Sequence, residues 1–314
     1  MARTVDTRSF VRHDEPSFPM KKLHKKMAAL ARRYRVTKGD DFALNDFATD
    51  DTGKLEPGAE ADDLLAHGVN LLSNLQERLY ADDRWSVLLI FQAMDAAGKD
   101  GTIKHVMSGI NPAGCEVTAF KQPSSLELAH DFLWRAGVAL PQRGKIGIFN
   151  RSYYEETLIV RVHREVLKAE NIPPSLMGKH LWKERFQDIN AFERHLARNG
   201  TLVLKFFLHL SKHEQKKRFL ARLDEPAKNW KFSPADLRER ALWDDYQDAY
   251  EEMIGATATP HAPWYIVPAD NKWYTHLVVA GAVVDALDAL DLKFPAVTRE
   301  QREALRKARE QLAG

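Results

Sequence analysis

The sequence contains a single cysteine, Cys115, so no disulfide can form within the chain. It also lacks long hydrophobic runs, because no apolar stretch approaches the roughly 18 to 20 residues needed to cross a bilayer. The first segment, MARTVDTRSFVRHDEPSF, lacks the apolar core of a secretory signal. These absences exclude a disulfide-stapled scaffold and predict no membrane partner. A reducing cytoplasm is the expected location.

The chain has no marked excess of charge of one sign. Lys and Arg number 46 and Asp and Glu number 44, and the formal net charge of +2 is too close to neutral to indicate a nucleic-acid partner. A basic function must therefore come from local clustering. With 314 residues, 44% of them hydrophobic, the chain can bury the core of one large α/β domain with appendages.

Short β-rich runs alternate with segments of helical periodicity. The runs predict strands at 86–92, 115–120, 145–150, 201–210 and 262–270. Helices are predicted between them, among others over 62–80, 181–200 and 273–290. Strands alternating with helices predict an α/β fold of three layers, in which a parallel sheet is covered on both faces. The predicted organisation is an N-terminal arm over 1–60, a main domain over 61–295 and a helical tail over 296–314.

The segment 91–105, FQAMDAAGKDGTIKH, follows the first predicted strand. A phosphate-binding loop needs a strand that delivers the chain, small residues whose backbone N–H groups converge, a lysine and a helix N-terminus. All of these are present, and the alternative is a strand-to-helix turn with an incidental lysine. The candidate phosphate-binding residues are Ala97, Gly98, Asp100, Gly101 and Thr102, and Lys99, whose charge would neutralise phosphates, is a candidate catalytic residue.

The segment departs from the G-x-x-x-x-G-K-[ST] pattern at two positions. Ala93 stands at the first glycine, and Asp100 stands at the hydroxyl position that would bind Mg²⁺, with Thr102 two residues late. Asp95 favours the phosphate-loop interpretation, because a carboxylate among anionic phosphates makes sense chiefly when a divalent metal bridges them. Asp95 is therefore the candidate ligand for Mg²⁺ or Mn²⁺ and a candidate catalytic residue.

A second group of polar residues, GIFNRSYYEETLIVRVH, ends the third predicted strand, where parallel α/β folds bind ligands. Asn150 stands where many phosphate-loop enzymes have a metal-binding Asp, and we interpret it as a nucleotide contact. Arg151 follows, and its planar guanidinium suits bidentate binding of phosphate oxygens. Arg151 is therefore a candidate catalytic residue.

Four further residues of this segment have two interpretations each. Tyr153 and Tyr154 could stack on a base or fill the interface between sheet and helix, and packing is favoured; Tyr154 is retained as a candidate nucleotide contact. Glu155 and Glu156 could contact a ribose or a metal shell, or only favour a helix dipole. Of the two, Glu155 is the candidate for nucleotide binding.

The third cluster lies after the fourth predicted strand. Between Ser211 and Lys231 there are seven Lys and Arg residues and three acids. Such a charge run could be a solvated helix face, but Arg218 and Arg222 are four residues apart and share one face. In phosphate-loop kinases a helical hairpin at this place folds over the phosphates as a lid. Arg218, Arg222 and Lys231 are therefore candidate phosphate-binding residues.

Three motifs, MDAAGKDGTIKH, IFNRSYYEE and RFLARLDEPAKNWKF, resemble in order and spacing the second polyphosphate kinase family, the polyphosphate:nucleotide phosphotransferases. The resemblance runs from about residue 62 to 290. It implies a thymidylate-kinase-like phosphate-loop fold with a helical lid at about 211–255. It also implies Mg²⁺ dependence, phosphoryl transfer between inorganic polyphosphate and adenine or guanine nucleotides, and assembly as a homodimer or homotetramer.

The resemblance places the loop Asp and Lys of the family on Asp95 and Lys99, and its lid arginines on Arg218 and Arg222. One branch of the family has Asp at the position of Asn150 and reads W-Y-N-R after the serine, where this chain reads Y-Y-E-E. The chain resembles instead the branch that accepts both AMP and ADP. Two other functions remain open from the residues alone: an ATP-dependent nucleoside monophosphate kinase and a non-catalytic polyanion-binding protein.

Overall fold

The computed structural model describes residues 18–313, so the first 17 residues of the predicted arm lie outside the described part. Within residues 18–313 six strands form one sheet with the order β1-β6-β5-β2-β4-β3. The strands are β1 (Arg35–Val36), β2 (Ser86–Gln92), β3 (Cys115–Ala119), β4 (Ile146–Asn150), β5 (Thr201–His209) and β6 (Trp264–Pro268). All pairings are parallel except that of β1 with β6. The five predicted strands are confirmed, whereas two-residue β1 gives no periodic signal and was not predicted.

The centre of the sheet explains the first apolar run. Strand β2 pairs in parallel with β4 on one side and with β5 on the other, and all seven of its residues are buried. A strand buried on both faces needs apolar residues at successive positions rather than alternation. The run SVLLIFQ therefore becomes the central strand, and the loop that follows it leaves the sheet at its carboxyl end.

Thirteen α-helices lie within the described range. They are α1 (Phe18–Arg32), α2 (Ala59–Asp82), α3 (Lys99–Val106), α4 (Ser125–Leu128), α5 (Trp134–Val138), α6 (Ile159–Val162), α7 (Arg164–Leu167), α8 (Leu181–Arg198), α9 (Lys212–Asp224), α10 (Pro234–Ala241), α11 (Trp243–Thr257), α12 (Lys272–Asp288) and α13 (Arg299–Ala313). None of them is long and apolar enough to span a bilayer.

The helices cover both faces of the sheet. Helices α1, α2, α3 and α12 bury their apolar residues against one face, and α8, α11 and the short 3₁₀ segment 153–157 do so against the other. The predicted three-layer α/β architecture with a parallel sheet is confirmed. This arrangement leaves the carboxyl ends of β2, β4 and β5 accessible between the two helical layers.

Residues 18–58 contribute to the same core as the main domain. Met27 and Ala31 of α1 are buried, and α1 packs along α12. The Tyr34 hydroxyl lies 2.9 Å from that of Tyr274 and donates to Asp51 at 2.7 Å. Apolar residues at helical spacing thus anchor this part of the chain, although it is too short to form a core alone. The domain boundary at residue 60 stays a prediction.

Candidate active site

The loop between β2 and α3 has the backbone of an anion cradle. Ala96 and Gly98 have φ angles of 65° and 101°, both in the left-handed region. Gly98 adopts this conformation without the steric penalty that a Cβ brings, whereas Ala96 costs about 1 kcal/mol. The Thr102 amide then donates to the Gly98 carbonyl at 2.9 Å, which starts α3. Strain held at Ala96 marks this loop as a candidate functional segment.

Lys99, the first residue of α3, lies partly buried under the loop. Its Nζ donates to the Ala93 carbonyl at 2.8 Å. Burial, together with the nearby Arg151 guanidinium, lowers the pKa of Lys99 from 10.5 to about 8, while Asp95 and Glu155 oppose the shift. A phosphate at the loop would favour the charged amine and reverse this effect.

The carboxyl end of β4 brings the second polar cluster to the loop. The Arg151 Nη2 lies 3.1 Å from Asp95 Oδ1, and its Nη1 lies 3.6 Å from Glu155 Oε2. Asn150 Nδ2 donates to Asp100 Oδ1 at 2.6 Å. Arg151 has a φ of 64°, and its amide donates to the Phe91 carbonyl of β2. The two sequence segments therefore form one site across neighbouring strands.

Arg218 of α9 holds the loop through backbone carbonyls. Its Nη1 donates to the carbonyls of Ala96 at 3.1 Å and Ala97 at 2.9 Å, and its Nη2 donates to those of Ala269 at 2.6 Å and Asp270 at 3.1 Å. Its Nε donates to Glu214 at 2.9 Å. Arg218 also borders the cavity described below, but its donors are occupied by the protein. Its contribution in this structure is to fix the loop rather than to offer an unpaired cation.

Helices α9 and α10 and the 3₁₀ segment 226–231 lie within the lid predicted at about 211–255, whereas α11, at the end of that range, packs its buried residues against the sheet. Arg222 is partly exposed, donates from Nη1 to the Lys231 carbonyl at 3.2 Å and lies 3.6 Å from Asp236 Oδ2. The side chain of Ser211 accepts from the Glu214 amide at 3.0 Å and begins α9. Arg222 and Lys231 both face the same space as the loop.

These elements enclose a cavity of about 760 Å³ above the carboxyl end of the sheet. Among the described residues, eight Lys and Arg residues and two carboxylates line it. The cations are Lys99, Lys121, Arg151, Arg218, Arg222, Lys228, Lys231 and Lys272, and the carboxylates are Asp95 and Asp100. The remaining predicted residues at this cavity are Ala97, Gly98, Gly101, Thr102 and Asn150. Such a cluster of cations suits a polyanionic ligand.

Sequence reasoning missed Lys121, Lys272 and His276, which also line the cavity. Lys121 comes two residues after β3, and Lys272 comes four residues after β6. Because the carboxyl ends of parallel strands meet at one edge, the position of each lysine just beyond a strand was the available signal. His276 carried no such signal, because it lies one helical turn inside α12.

The structure does not bring Tyr154 to the cavity. Its side chain is fully buried, its hydroxyl donates to Glu193 Oε1 at 2.7 Å, and Lys205 Nζ donates to that hydroxyl at 3.0 Å. Lys205 and Glu193 form an ion pair of 2.7 Å that is itself fully buried. The nucleotide contact predicted for Tyr154 is therefore corrected: in this structure Tyr154 belongs to the core, as the packing interpretation proposed.

Glu155 likewise lies beneath the cavity rather than on its wall. Burial raises the pKa of Glu155, and the charges of Arg151 and Lys99 oppose that rise. The neighbouring Glu156 is directed elsewhere and accepts from Arg185 at 2.8 Å. Among the described residues Glu155 is not one of those that line the cavity, and its side chain contacts Arg151, so the nucleotide contact predicted for Glu155 stays a prediction.

A phosphate loop after the central parallel strand, a guanidinium across from it and a helical excursion lined with cations define a phosphate-loop α/β phosphotransferase. The profile of the family described as Polyphosphate kinase 2 matches residues 59–295. The chain belongs to the polyphosphate kinase 2 family, and the resemblance read from the three motifs is confirmed.

Relatives and solved structures agree with this assignment. An ADP-polyphosphate phosphotransferase of Rhodopseudomonas palustris is 51% identical over 91% of this chain and 99% of its own length. An AMP/ADP-polyphosphate phosphotransferase of Meiothermus ruber is 45% identical over 84% of this chain and 95% of its own. The crystal structure of polyphosphate kinase 2 from Arthrobacter aurescens is similar with a TM-score of 0.80 and 40% identity, covering 88% of this chain and 96% of the other.

Proposed function

We propose that this protein transfers phosphoryl groups reversibly between inorganic polyphosphate and AMP or ADP. The observation that carries the proposal is the cavity at the phosphate loop, where eight cationic side chains face two carboxylates. Two polyanions must meet end to end in such a reaction, and the repulsion between them is the main barrier to their approach. A cavity of about 760 Å³ has room for the reacting ends of both.

In this proposal the chain positions and neutralises its substrates without a covalent intermediate. An oxygen of the terminal nucleotide phosphate attacks the terminal phosphorus of polyphosphate, and the bridging oxygen leaves with the shortened chain. Lys99 and the loop amides hold the transferred phosphoryl group, and Arg151 holds the nucleotide phosphate. Arg222, Lys228 and Lys231 hold the polyphosphate. The reaction needs no serine, histidine or cysteine nucleophile.

The donor set at the loop fits a divalent cation that is shared with phosphates. Among residues 18–313 no group of three or more His, Cys, Asp or Glu side chains could hold a metal by itself. Mg²⁺ is usually bound by one or two carboxylates together with substrate phosphates, and Asp95 is a partly exposed carboxylate on the cavity wall. We infer that Asp95 holds Mg²⁺ or Mn²⁺, which when bound neutralises charge on the phosphate oxygens.

AMP and ADP are both expected to serve as acceptors. The two relatives above differ on this point, since one is named for ADP and the other for AMP and ADP. We expect a time course that starts from AMP, polyphosphate and Mg²⁺ to show ADP rising first and ATP following, separated by chromatography. ADP that accumulates without ATP, or AMP that is never consumed, would contradict dual acceptance but leave the kinase assignment in place.

The donor is tested in the same assay. Product formation from AMP or ADP with polyphosphate and no nucleoside triphosphate supports the proposal, whereas transfer that requires ATP supports the nucleoside monophosphate kinase alternative. Guanine nucleotides in parallel reactions test the acceptor base. A cytoplasmic location, the homodimer or homotetramer and the absence of nucleic-acid binding stay predictions from the sequence.

The two lid arginines are expected to have different effects. Arg222→Glu should raise the KM for polyphosphate about tenfold or more, because it reverses a charge that faces the cavity. Arg218→Ala should lower kcat and also lower the free energy of unfolding by about 1–3 kcal/mol, because it leaves buried loop carbonyls without donors. Steady-state kinetics and urea unfolding measure both, with Lys216→Glu on the exposed face of α9 as the control. Equal and small effects of all three variants would show that the segment is only a solvated helix face.

A further inference from the structure

Gln92 is a buried polar residue at the end of the central strand, and none of the roles above uses it. It is 0% exposed and follows Leu88 and Ile90 on the same face of β2. That face otherwise packs apolar side chains beneath the segment 153–157. A buried amide costs free energy unless both of its ends are hydrogen-bonded, so its partners identify what it holds.

The partners of Gln92 lie just beyond the carboxyl end of β4. In the orientation that pairs both ends of the amide, Nε2 donates to Glu155 Oε1 at 2.8 Å, and the amide oxygen accepts from the Ser152 amide at 3.1 Å and from its hydroxyl at 3.0 Å. The opposite orientation would direct the amide oxygen at a carboxylate. Gln92 therefore connects β2 to the Ser152 backbone and to the Glu155 carboxylate, both of which lie next to Arg151.

The contact continues from Glu155 to the loop. The other carboxylate oxygen, Oε2, lies 3.6 Å from Arg151 Nη1, and Arg151 Nη2 lies 3.1 Å from Asp95 Oδ1. Gln92 precedes Asp95 by three residues in the sequence. The contacts from Gln92 to Glu155, from Glu155 to Arg151 and from Arg151 to Asp95 therefore form a closed ring at the end of β2. In that ring a guanidinium is held between two carboxylates, and only one of these, Asp95, faces the cavity.

The backbone at Arg151 needs such support. Its φ of 64° is a conformation that costs a residue with a Cβ about 1–2 kcal/mol, and it persists only where neighbouring contacts fix it. The Arg151 amide is held by the Phe91 carbonyl, and the next amide, that of Ser152, is held by Gln92. Both supports come from the last two residues of β2.

We propose that Gln92 is a positioning residue, which orients Glu155 and the turn at Arg151 so that the guanidinium faces the acceptor phosphate beside Asp95. The inference rests on the proposed function, because it assigns Arg151 to the acceptor nucleotide. A glutamine suits this place because its amide donates to the carboxylate and accepts from the backbone at once, whereas a carboxylate would repel Glu155.

The first test compares two buried glutamines. Gln92→Met keeps the length and packing of the side chain but removes all three of its hydrogen bonds. We expect kcat to fall about tenfold and the KM for AMP to rise, with the KM for polyphosphate within about twofold of the wild type. The control is Gln76→Met on α2, where Gln76 is 2% exposed and lies against Gly114 rather than at the cavity. Turnover of Gln92→Met equal to that of Gln76→Met would overturn the proposal.

A double-mutant cycle separates positioning from mere packing. Because Gln92 acts partly through Glu155, the loss of kcat in Gln92→Met combined with Glu155→Gln should be smaller than the product of the two single losses, since both changes weaken the same contact from Gln92 through Glu155 to Arg151. Multiplying effects would contradict the proposal. The cycle is read with polyphosphate and AMP, and wild-type transfer without ATP tests the proposed function separately. If the methionine variant does not fold, a second pair of variants replaces it. Gln92→Glu combined with Glu155→Gln exchanges the two side chains and should have a kcat at least about tenfold above that of Gln92→Glu alone. No such recovery would overturn the proposal.

Discussion

Lys99→Met is expected to lower kcat/KM by about 10² to 10⁴, the scale of a preorganised charge that stabilises a transferred phosphoryl group. The amine lies at the phosphate loop and, within the described residues, donates to the Ala93 carbonyl at 2.8 Å, so it can turn to a phosphate. Lys104→Met is the matched control, since Lys104 lies on the exposed face of the same helix. Turnover of the Lys99 variant near that of the control, with the fold intact by circular dichroism, would end the phosphate-loop interpretation.

The pKa of Lys99 gives this variant a second signature. Because the folded protein holds this pKa at about 8, below its ordinary value of 10.5, the folded state binds fewer protons there than the unfolded state between these values. The buried charge therefore lowers the free energy of unfolding by its full amount below pH 8, and this loss of stability disappears as the pH rises towards 10.5. Lys99→Met should unfold at higher urea than the wild type at pH 7, with the difference shrinking by pH 10. A difference that stays constant across this range would contradict the lowered pKa.

Asp95→Asn is expected to abolish measurable transfer, because it removes the one carboxylate on the cavity wall that we assign to the divalent cation. Its effect on stability should be small. The Asp95–Arg151 pair is partly exposed, and pairs of that kind contribute about 1 kcal/mol or less. Transfer is measured against Mg²⁺ concentration, and unfolding is measured in urea.

The control for this variant is Asp63→Asn on the exposed face of α2, which changes the same charge away from the cavity. Activity of Asp95→Asn that keeps the Mg²⁺ dependence of the wild type would remove Asp95 from the metal site. If the variant keeps measurable activity and its KM for AMP rises, the loss of Asp95 has released Arg151 from its place beside the loop.

Some features of the site were predictable because they are local in the chain. The strand, the small-residue loop, Lys99 and the helix that follows occupy one continuous segment, and each has a composition tied to its backbone conformation. The parallel sheet follows from the alternation of strand and helix patterns. For the same reason the sequence placed Arg151 near the loop, since residues that end neighbouring parallel strands meet at one edge.

Other features depend on contacts between residues far apart in the chain. Arg218 is a cation on a helix face by sequence, but it donates to loop carbonyls 121 and 122 residues away and so organises the loop. Tyr154 follows the site residues directly, yet the turn at Arg151 directs it into the core towards Glu193.

The sequence by itself therefore determined the α/β class, the phosphate loop and the family, because short-range periodicity and contiguous motifs encode them. Only the tertiary structure decided which charged side chains face the cavity and which are paired beneath it. Burial and hydrogen bonding select among these side chains, and both depend on neighbours contributed by other strands and helices. Lys272 lines the cavity, and Gln92 and Glu155 have the roles inferred above, because the sheet brings these residues to the site, and a linear pattern does not specify that placement.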